Sequence, residues 1–264
     1  MAVRDDPMSG EDVTVKVYRW AEKEVASGLI NGANSDYIVD NTMVELLQLK
    51  GTPTSDYVAS STSFAIRDIA VYFRLNGVDT RVDESRVTAT GTTVTISAAP
   101  ETTDADNIVI SYAYTDTNDG VTDYTYYVKD YEVNFGDRDL TEVKVLGGRS
   151  YKRRESQGLT ECSLTTIKKD VLLSQLLNGD LVRTTAEVSS VLIKSTVGGS
   201  ASIGRCLVIT HTDPDNSDDR LITILRNVKG ATCSFSGGAD AELEETITVK
   251  ANPQDSGDLE ITEQ

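Results

Sequence analysis

Few residues in this chain combine a reactive type with a useful spacing. His211 is the only histidine among 264 residues. A cysteine–histidine nucleophile would pair it with Cys206, but the two stand five residues apart in one predicted strand. Odd spacing in a strand sends them to opposite faces. Cys162 or Cys233 would reach His211 only through the fold, and a Ser-His-Asp triad would have to use the same histidine. Three widely spaced cysteines, each in a predicted strand, form neither a disulfide framework nor a zinc pattern. Buried thiols are the expectation.

The acidic turn Asp213-Pro-Asp215-Asn-Ser-Asp218-Asp219 is rich enough in oxygen to suit calcium or sodium. An EF-hand loop needs glycine at its sixth position and glutamate at its twelfth. Counting from Asp213, those places hold Asp218 and Ile224. The turn is therefore expected to be a hydrated hairpin connection with no metal, and the same holds for Asp104, Asp106 and Asn107. Glycosidase carboxylates need no motif. A single tryptophan, Trp20, and no aromatic cluster argue against a sugar cleft. Gly198-Gly199 and Gly237-Gly238 look like turns, not phosphate cradles. No enzymatic activity and no cofactor are expected.

One dense basic run stands out in this acidic chain: Arg149, Lys152, Arg153 and Arg154, in a predicted loop from Gly147 to Gly158. It is either a solvated loop or a contact surface, since long loops between strands often carry binding roles. Trp20, Tyr124, Tyr126, Tyr127 and Tyr131 are candidates for core or interface anchors.

The elements that position these residues are mostly strands. Val13, Val15 and Val17 alternate with polar neighbours. Gly28 to Asp40 reads as loop or extended arm. Thr42-Met-Val-Glu45 before a leucine run fits a capping box and a short helix ending at Gly51, with a strand as the alternative. From Thr52 the chain shifts to short strands and turns. Val71, Phe73 and Leu75 share a face, and Asn76-Gly77 is a hairpin signal because both residues accept positive φ. Thr92–Ser97 and Ile108–Tyr114 follow as strands. After a polar connector come strands at 126–135, 141–146 and 159–167. A helix is predicted at 170–178, N-capped by Asp170 and closed by Gly179. Further strands lie at 187–196 and in the closing run, with a polar turn between Arg205–Asp213 and Leu221–Gly230.

Net charge is −17, and the sequence pI is near 4.4. Such a field disfavours binding to phosphate backbones. The acids are spread along the chain, as on an ordinary soluble surface or one adapted to high salt, where screening makes dense like charge cheap. No apolar stretch has the length of a membrane span. The charged start, Met1-Ala-Val-Arg-Asp-Asp-Pro7, lacks the apolar region of a secretory signal, so folding in the cytoplasm is expected.

This order of elements resembles the tail tube proteins of long-tailed viruses. The resemblance rests on Tyr131-Glu-Val-Asn-Phe-Gly-Asp-Arg-Asp-Leu-Thr-Glu-Val-Lys-Val-Leu-Gly147, the basic run to Arg154 and the helix at 170–178. The ending Arg226-Asn-Val-Lys-Gly-Ala-Thr-Cys-Ser-Phe-Ser-Gly-Gly238 with Thr246-Ile-Thr-Val-Lys-Ala251 completes it. About half the chain is covered, by pattern and not by a sharp motif. Thr62 to Tyr114 resembles small immunoglobulin-like units of virus structural proteins and adhesins. The fold so implied is mainly β: a tail-tube-like sandwich or barrel with one short helix, plus a second small β domain. The implied division is a strand and arm of the tube domain at 1–51, an inserted surface sandwich at 52–119, the tube domain at 120–252 and a frayed tail at 253–264.

The resemblance implies a virion protein, assembled in the host cytoplasm, whose hexameric rings stack into a tube. Its partners would be further copies of itself and other tail proteins (terminator, tape measure, baseplate). Viral DNA would pass without specific binding, and no membrane insertion is implied. The acidic composition would suit a virus of salt-loving archaea. On this reading Arg149, Lys152, Arg153 and Arg154 reach acids on a neighbouring subunit, because a basic lumen would hold DNA back. A capsid decoration protein, another tail-associated protein and a cell-surface adhesin are the alternatives.

Overall fold

The computed structural model describes residues 13–46, 68–115, 128–134, 138–144, 151–157, 160–167, 179–184, 189–193, 204–213, 220–238, 241–251 and 259–263. Among these residues the fold is mainly β, as expected, with antiparallel sheets and no α-helix. In chain order the strands are β1 (Val13–Val25), β2 (Asp36–Ile38), β3 (Ile69–Leu75), β4 (Val78–Arg81), β5 (Val87–Thr90), β6 (Thr93–Ile96) and β7 (Asn107–Tyr114). There follow β8 (Val128–Asn134), β9 (Arg138–Lys144), β10 (Tyr151–Gln157), β11 (Glu161–Ile167), β12 (Gly179–Thr184) and β13 (Ser189–Ile193). The last are β14 (Gly204–Thr212), β15 (Arg220–Gly238), β16 (Ala241–Ala251) and β17 (Leu259–Glu263). Chain contacts gather them into two units: one holds the chain before residue 127 with 196–228 and 254–264, the other holds 127–195 and 229–253.

In the first unit the main sheet runs β4-β3-β7-β1-β14-β15. Residues Leu221–Leu225 of β15 pair with β14 on one side and with β17 on the other. A second sheet runs β2-β6-β5. Strand parity builds the core between the sheets. Ile108, Ile110 and Tyr112 of β7 and Val71 of β3 meet Tyr37, Val87, Ala89, Val94 and Ile96. The opposite parity of β7 is buried as well. Val109 packs with Ala70 and Tyr72, and Ala113 joins Tyr18, Trp20, Cys206 and Ile224. A strand covered on both faces reads as a nearly continuous apolar run, which is how Asn107–Tyr114 reads.

Asn76 and Gly77 make the expected two-residue turn, with φ of 51° and 79° and Leu75 facing Val78 across it. Other local expectations gave way to tertiary pairing. Residues 42–46 form no helix. The Met43 and Val44 amides donate to the carbonyls of Gly91 and Ala113, each at 2.9 Å, so they are not spent on helical bonds. The stretch expected as a loop or arm, Gly28–Asp40, contains β2 and lodges Tyr37 and Val39 in the core. Ala26, Tyr37, Val39 and Met43 share that core with residues between Ile69 and Tyr112.

The second unit contains the sheet β8-β11-β16 and the hairpins β9–β10 and β12–β13. Here one face is buried and the other polar. Cys162 and Leu164 stand opposite Val249 and Ile247, all four fully buried. On the alternate face the Ser163 and Thr248 hydroxyls lie 3.0 Å apart, and those of Thr165 and Thr246 lie 3.2 Å apart. Ion pairs Lys129–Glu244 and Lys250–Glu161 flank them. The helix expected at 170–178 lies outside the described residues. Gly179, expected to cap it, is the first residue of β12.

Candidate assembly surface

The sheet of the second unit ends on β8, which pairs with β11 on one side and with no other described strand. β8, seven residues long, is therefore the outermost described strand on that side of the sheet, and its Tyr131 amide donates to the Asp130 carboxylate at 2.8 Å. Lys129, Asp130 and Glu132 are exposed along it, while Tyr131 and Val133 are half-buried. Burial, chiefly, raises the Tyr131 phenol above its ordinary range. Tyr131 is thus the one proposed anchor that lies on this edge. Trp20 is a core residue at 2% exposure, and Tyr124, Tyr126 and Tyr127 lie outside the described residues.

Near this sheet in sequence is the basic run, and its backbone differs from expectation. Lys152, Arg153 and Arg154 are not in a loop but in β10, opposite Val143, Glu142 and Thr141 of β9. Arg149 lies outside the described residues. A run of long polar residues forms a strand here because β9 supplies a complete ladder from Arg138 to Lys144. Strand preference depends on context more than on residue type.

Cys206 and His211 lie on one regular strand, β14, with opposite parity, as expected. Burial pushes the thiols of Cys162 and Cys206 up to about 12, far from a reactive thiolate. Partial burial lowers the His211 imidazole. Cys233 lies in β15 as expected. Asp213 is half-buried after β14. Asp215, Asp218 and Asp219 lie outside the described residues, but Thr212 faces Arg220, so the acidic segment does join a hairpin. Asp104 and Asp106 are engaged in turns: Asp104 accepts from the Glu101 amide at 2.9 Å and Asp106 from the Asn76 amide at 2.7 Å. Among the described residues no cluster of His, Cys, Asp and Glu has the make-up of a metal site.

Two polar clusters in the first unit escaped the sequence reading. Asp68 accepts from Arg226 Nε at 2.8 Å and Nη2 at 2.7 Å, and from the Leu46 amide at 2.7 Å. Both side chains of this ion pair are almost fully buried, at 1% and 2% exposure. The sequence signal was Arg226 itself, a charge inside the apolar run Leu221–Val228. The second cluster comes from a bulge in β1, where pairing to β7 shifts between Ala21 and Glu24 and Lys23 takes φ of 52°. Bulges re-aim side chains. Lys23 reaches Asp79 at 2.9 Å and lies over the Tyr72 ring. Arg74 binds the same Asp79 at 2.7 Å. Hydrogen bonds from Arg74 and then Lys23 hold the Asp79 carboxyl well below its usual range. Glu24 accepts from the Tyr112 hydroxyl at 2.7 Å and from the Asp40 amide at 2.8 Å. Burial, then Glu24, raises the Tyr112 phenol. These contacts tie strands and loops of the first unit to one another.

No helix among the described residues is long and apolar enough to cross a membrane. No family model matches the chain, and no curated protein matches it. Among solved structures, a sheath–tube complex of an extracellular contractile injection system, PVC, in its extended state aligns with a TM-score of 0.30 and 12% identity, over 50% of this chain and 78% of that one. The tail of an empty GTA particle, refined with C6 symmetry, aligns with a TM-score of 0.29 and 12% identity, over 56% of this chain and 91% of that one. At these values the likenesses carry no weight for function.

Proposed function

We propose that this chain is a structural subunit of a viral tail tube, one that acts by joining its sheets to those of further copies. The observation that carries the reading is the β8 edge, seven residues long and paired on one side only among the described residues. Proteins usually shorten, cover or charge such edges. Here Lys129, Asp130 and Glu132 charge the strand, which would restrict it to a partner strand of complementary charge. Repeated around an axis, such a heterologous contact closes into a ring. Hexameric rings stacked end on end would give a tube, and an acidic lumen would let DNA slide through. Other tail proteins would meet the tube at its ends, and the acidic composition would fit a virus of a salt-loving host.

Arg149, Lys152, Arg153 and Arg154 are proposed to meet acids on a neighbouring subunit. The hairpin β9–β10 gives three of them a regular spacing. Replacing all four with glutamine is expected to shorten or abolish tubes, measured by electron microscopy; tubes of normal length would remove this role. For the function as a whole, negative-stain microscopy of the purified protein in high salt is expected to show rings or tubes with a central hole. Persistent monomers at high protein concentration would overturn it, and binding to preformed capsids without rings would favour a decoration protein.

A further inference from the structure

The first unit has an edge of a different kind from β8. The stretch Leu221–Leu225 of β15 is covered by β17, the last strand, paired residue for residue from Leu221↔Glu263 to Leu225↔Leu259. The two sides of that pairing are unequal. Ile222, Thr223, Ile224 and Leu225 are buried, so their backbone must have a strand beside it. The covering strand brings few apolar side chains: two of its five residues are glutamates, and Ile261, at its centre, is 53% exposed. Its backbone pairing with β15 is one that any chain in the same register would reproduce. β17 follows the polar segment 252–258, Asn-Pro-Gln-Asp-Ser-Gly-Asp, and a seven-residue stretch can span at most roughly 25 Å.

We propose that β17 is an exchangeable strand: in the assembled protein, β17 of one copy pairs with β15 of a second copy in the register seen within one chain. This rests on the self-assembly reading above and names the strand that links neighbours. Exchange of an identical element creates a link between subunits with no new interface to evolve. The buried β15 backbone stays satisfied in both states, so little enthalpy opposes the swap. The strand also acts as a guard, since it keeps the apolar edge of β15 covered until a second copy arrives.

The test uses full-length chains carrying single cysteines at facing positions, Thr223→Cys in one chain and Ile261→Cys in another, with Ile222→Cys and Thr262→Cys as a second pair. Neighbouring cross-strand pairs alternate in spacing, so one of the two has the closer geometry that a disulfide favours. Chains of different mass are mixed, assembled and oxidised, and the unmutated protein controls for its native cysteines. A disulfide-linked heterodimer from at least one pair is the expected result. Closure of a Thr223→Cys/Ile261→Cys chain only on itself within assembled particles, with no heterodimer from the mixtures, would overturn the proposal. Oxidising that double variant as a dilute monomer pins β17 to its own chain; assembly should be lost and return on reduction, and unimpaired assembly while pinned would count against exchange. Rings without heterodimers would leave the tube reading standing and remove exchange. Heterodimers in particles that are not rings would do the reverse.

Discussion

The two units bury their strands in opposite ways. In the first, β7 and β14 are covered on both faces, the ion pair Asp68–Arg226 is buried, and the cluster around Asp79 is partly exposed. In the second, β11 and β16 hide one face and present serine and threonine hydroxyls and two ion pairs on the other. The contrast separates two tasks. A sheet sealed on both sides has its faces spent on the core, which leaves a strand edge such as that between β15 and β17 to meet another chain. A sheet with one polar face and an open edge retains surface for other chains.

The comparison can be broken most sharply at the buried ion pair. Asp68→Ala strands the Arg226 charge in the core and leaves the Leu46 amide without its acceptor; removing one partner of such a pair costs about 3–5 kcal/mol. Urea unfolding should show that loss. A loss within the scatter of a surface variant would mean that water reaches the pair and that the first unit is not sealed.

Next in size is Leu164→Ala on the buried face of the second unit, expected to cost about 2–5 kcal/mol. Set beside it, Ser163→Ala and Thr165→Ala on the polar face should each cost about 0.2–1 kcal/mol, the worth of a cross-strand pair. Equal losses on the two faces would show that the hydroxyl face is covered and that the contrast between units fails.

A smaller effect concerns acid. The Asp79 carboxyl is held below its ordinary value of 3.8 by Arg74 and Lys23. A depressed value means that the folded state binds this proton less readily than the unfolded chain. The stabilisation is therefore complete above pH 3.8 and is lost as pH falls further. Asp79→Asn should flatten the stability profile below that point and leave its slope near neutrality unchanged, as followed by chemical denaturation at several pH values.

Much of this fold was legible in the residues. Asn76-Gly77 announced its hairpin, and Ile108–Tyr114 forms the strand expected of it. The polar turn after Asp213 joined the strands it was expected to join. What failed were features set by distant partners. Periodicity tells which way a side chain points, not which strand lies beside it, so nothing local indicated that β1 pairs with β14 and β7. The capping signal at Thr42–Glu45 lost to the Gly91 and Ala113 carbonyls. The basic run looked like a loop because its residues are polar, yet β9 made it a strand. Of the candidate surface, the charges could be read in advance, whereas the open edge of β8 emerged only from the order of strands in the sheet.

That edge is the point at which the account is tested most directly. Glu132 and Val133 are adjacent on β8, and strand alternation points one amide towards β11 and the other outward. Proline is tolerated on an edge strand where the amide faces outward. Glu132→Pro and Val133→Pro are each to be made, and the variant that keeps the parent's circular dichroism and unfolding midpoint taken forward. Particle mass in solution, measured beside the parent, should fall from rings to single chains. Rings of the parent's mass from a folded proline variant would contradict assembly through β8.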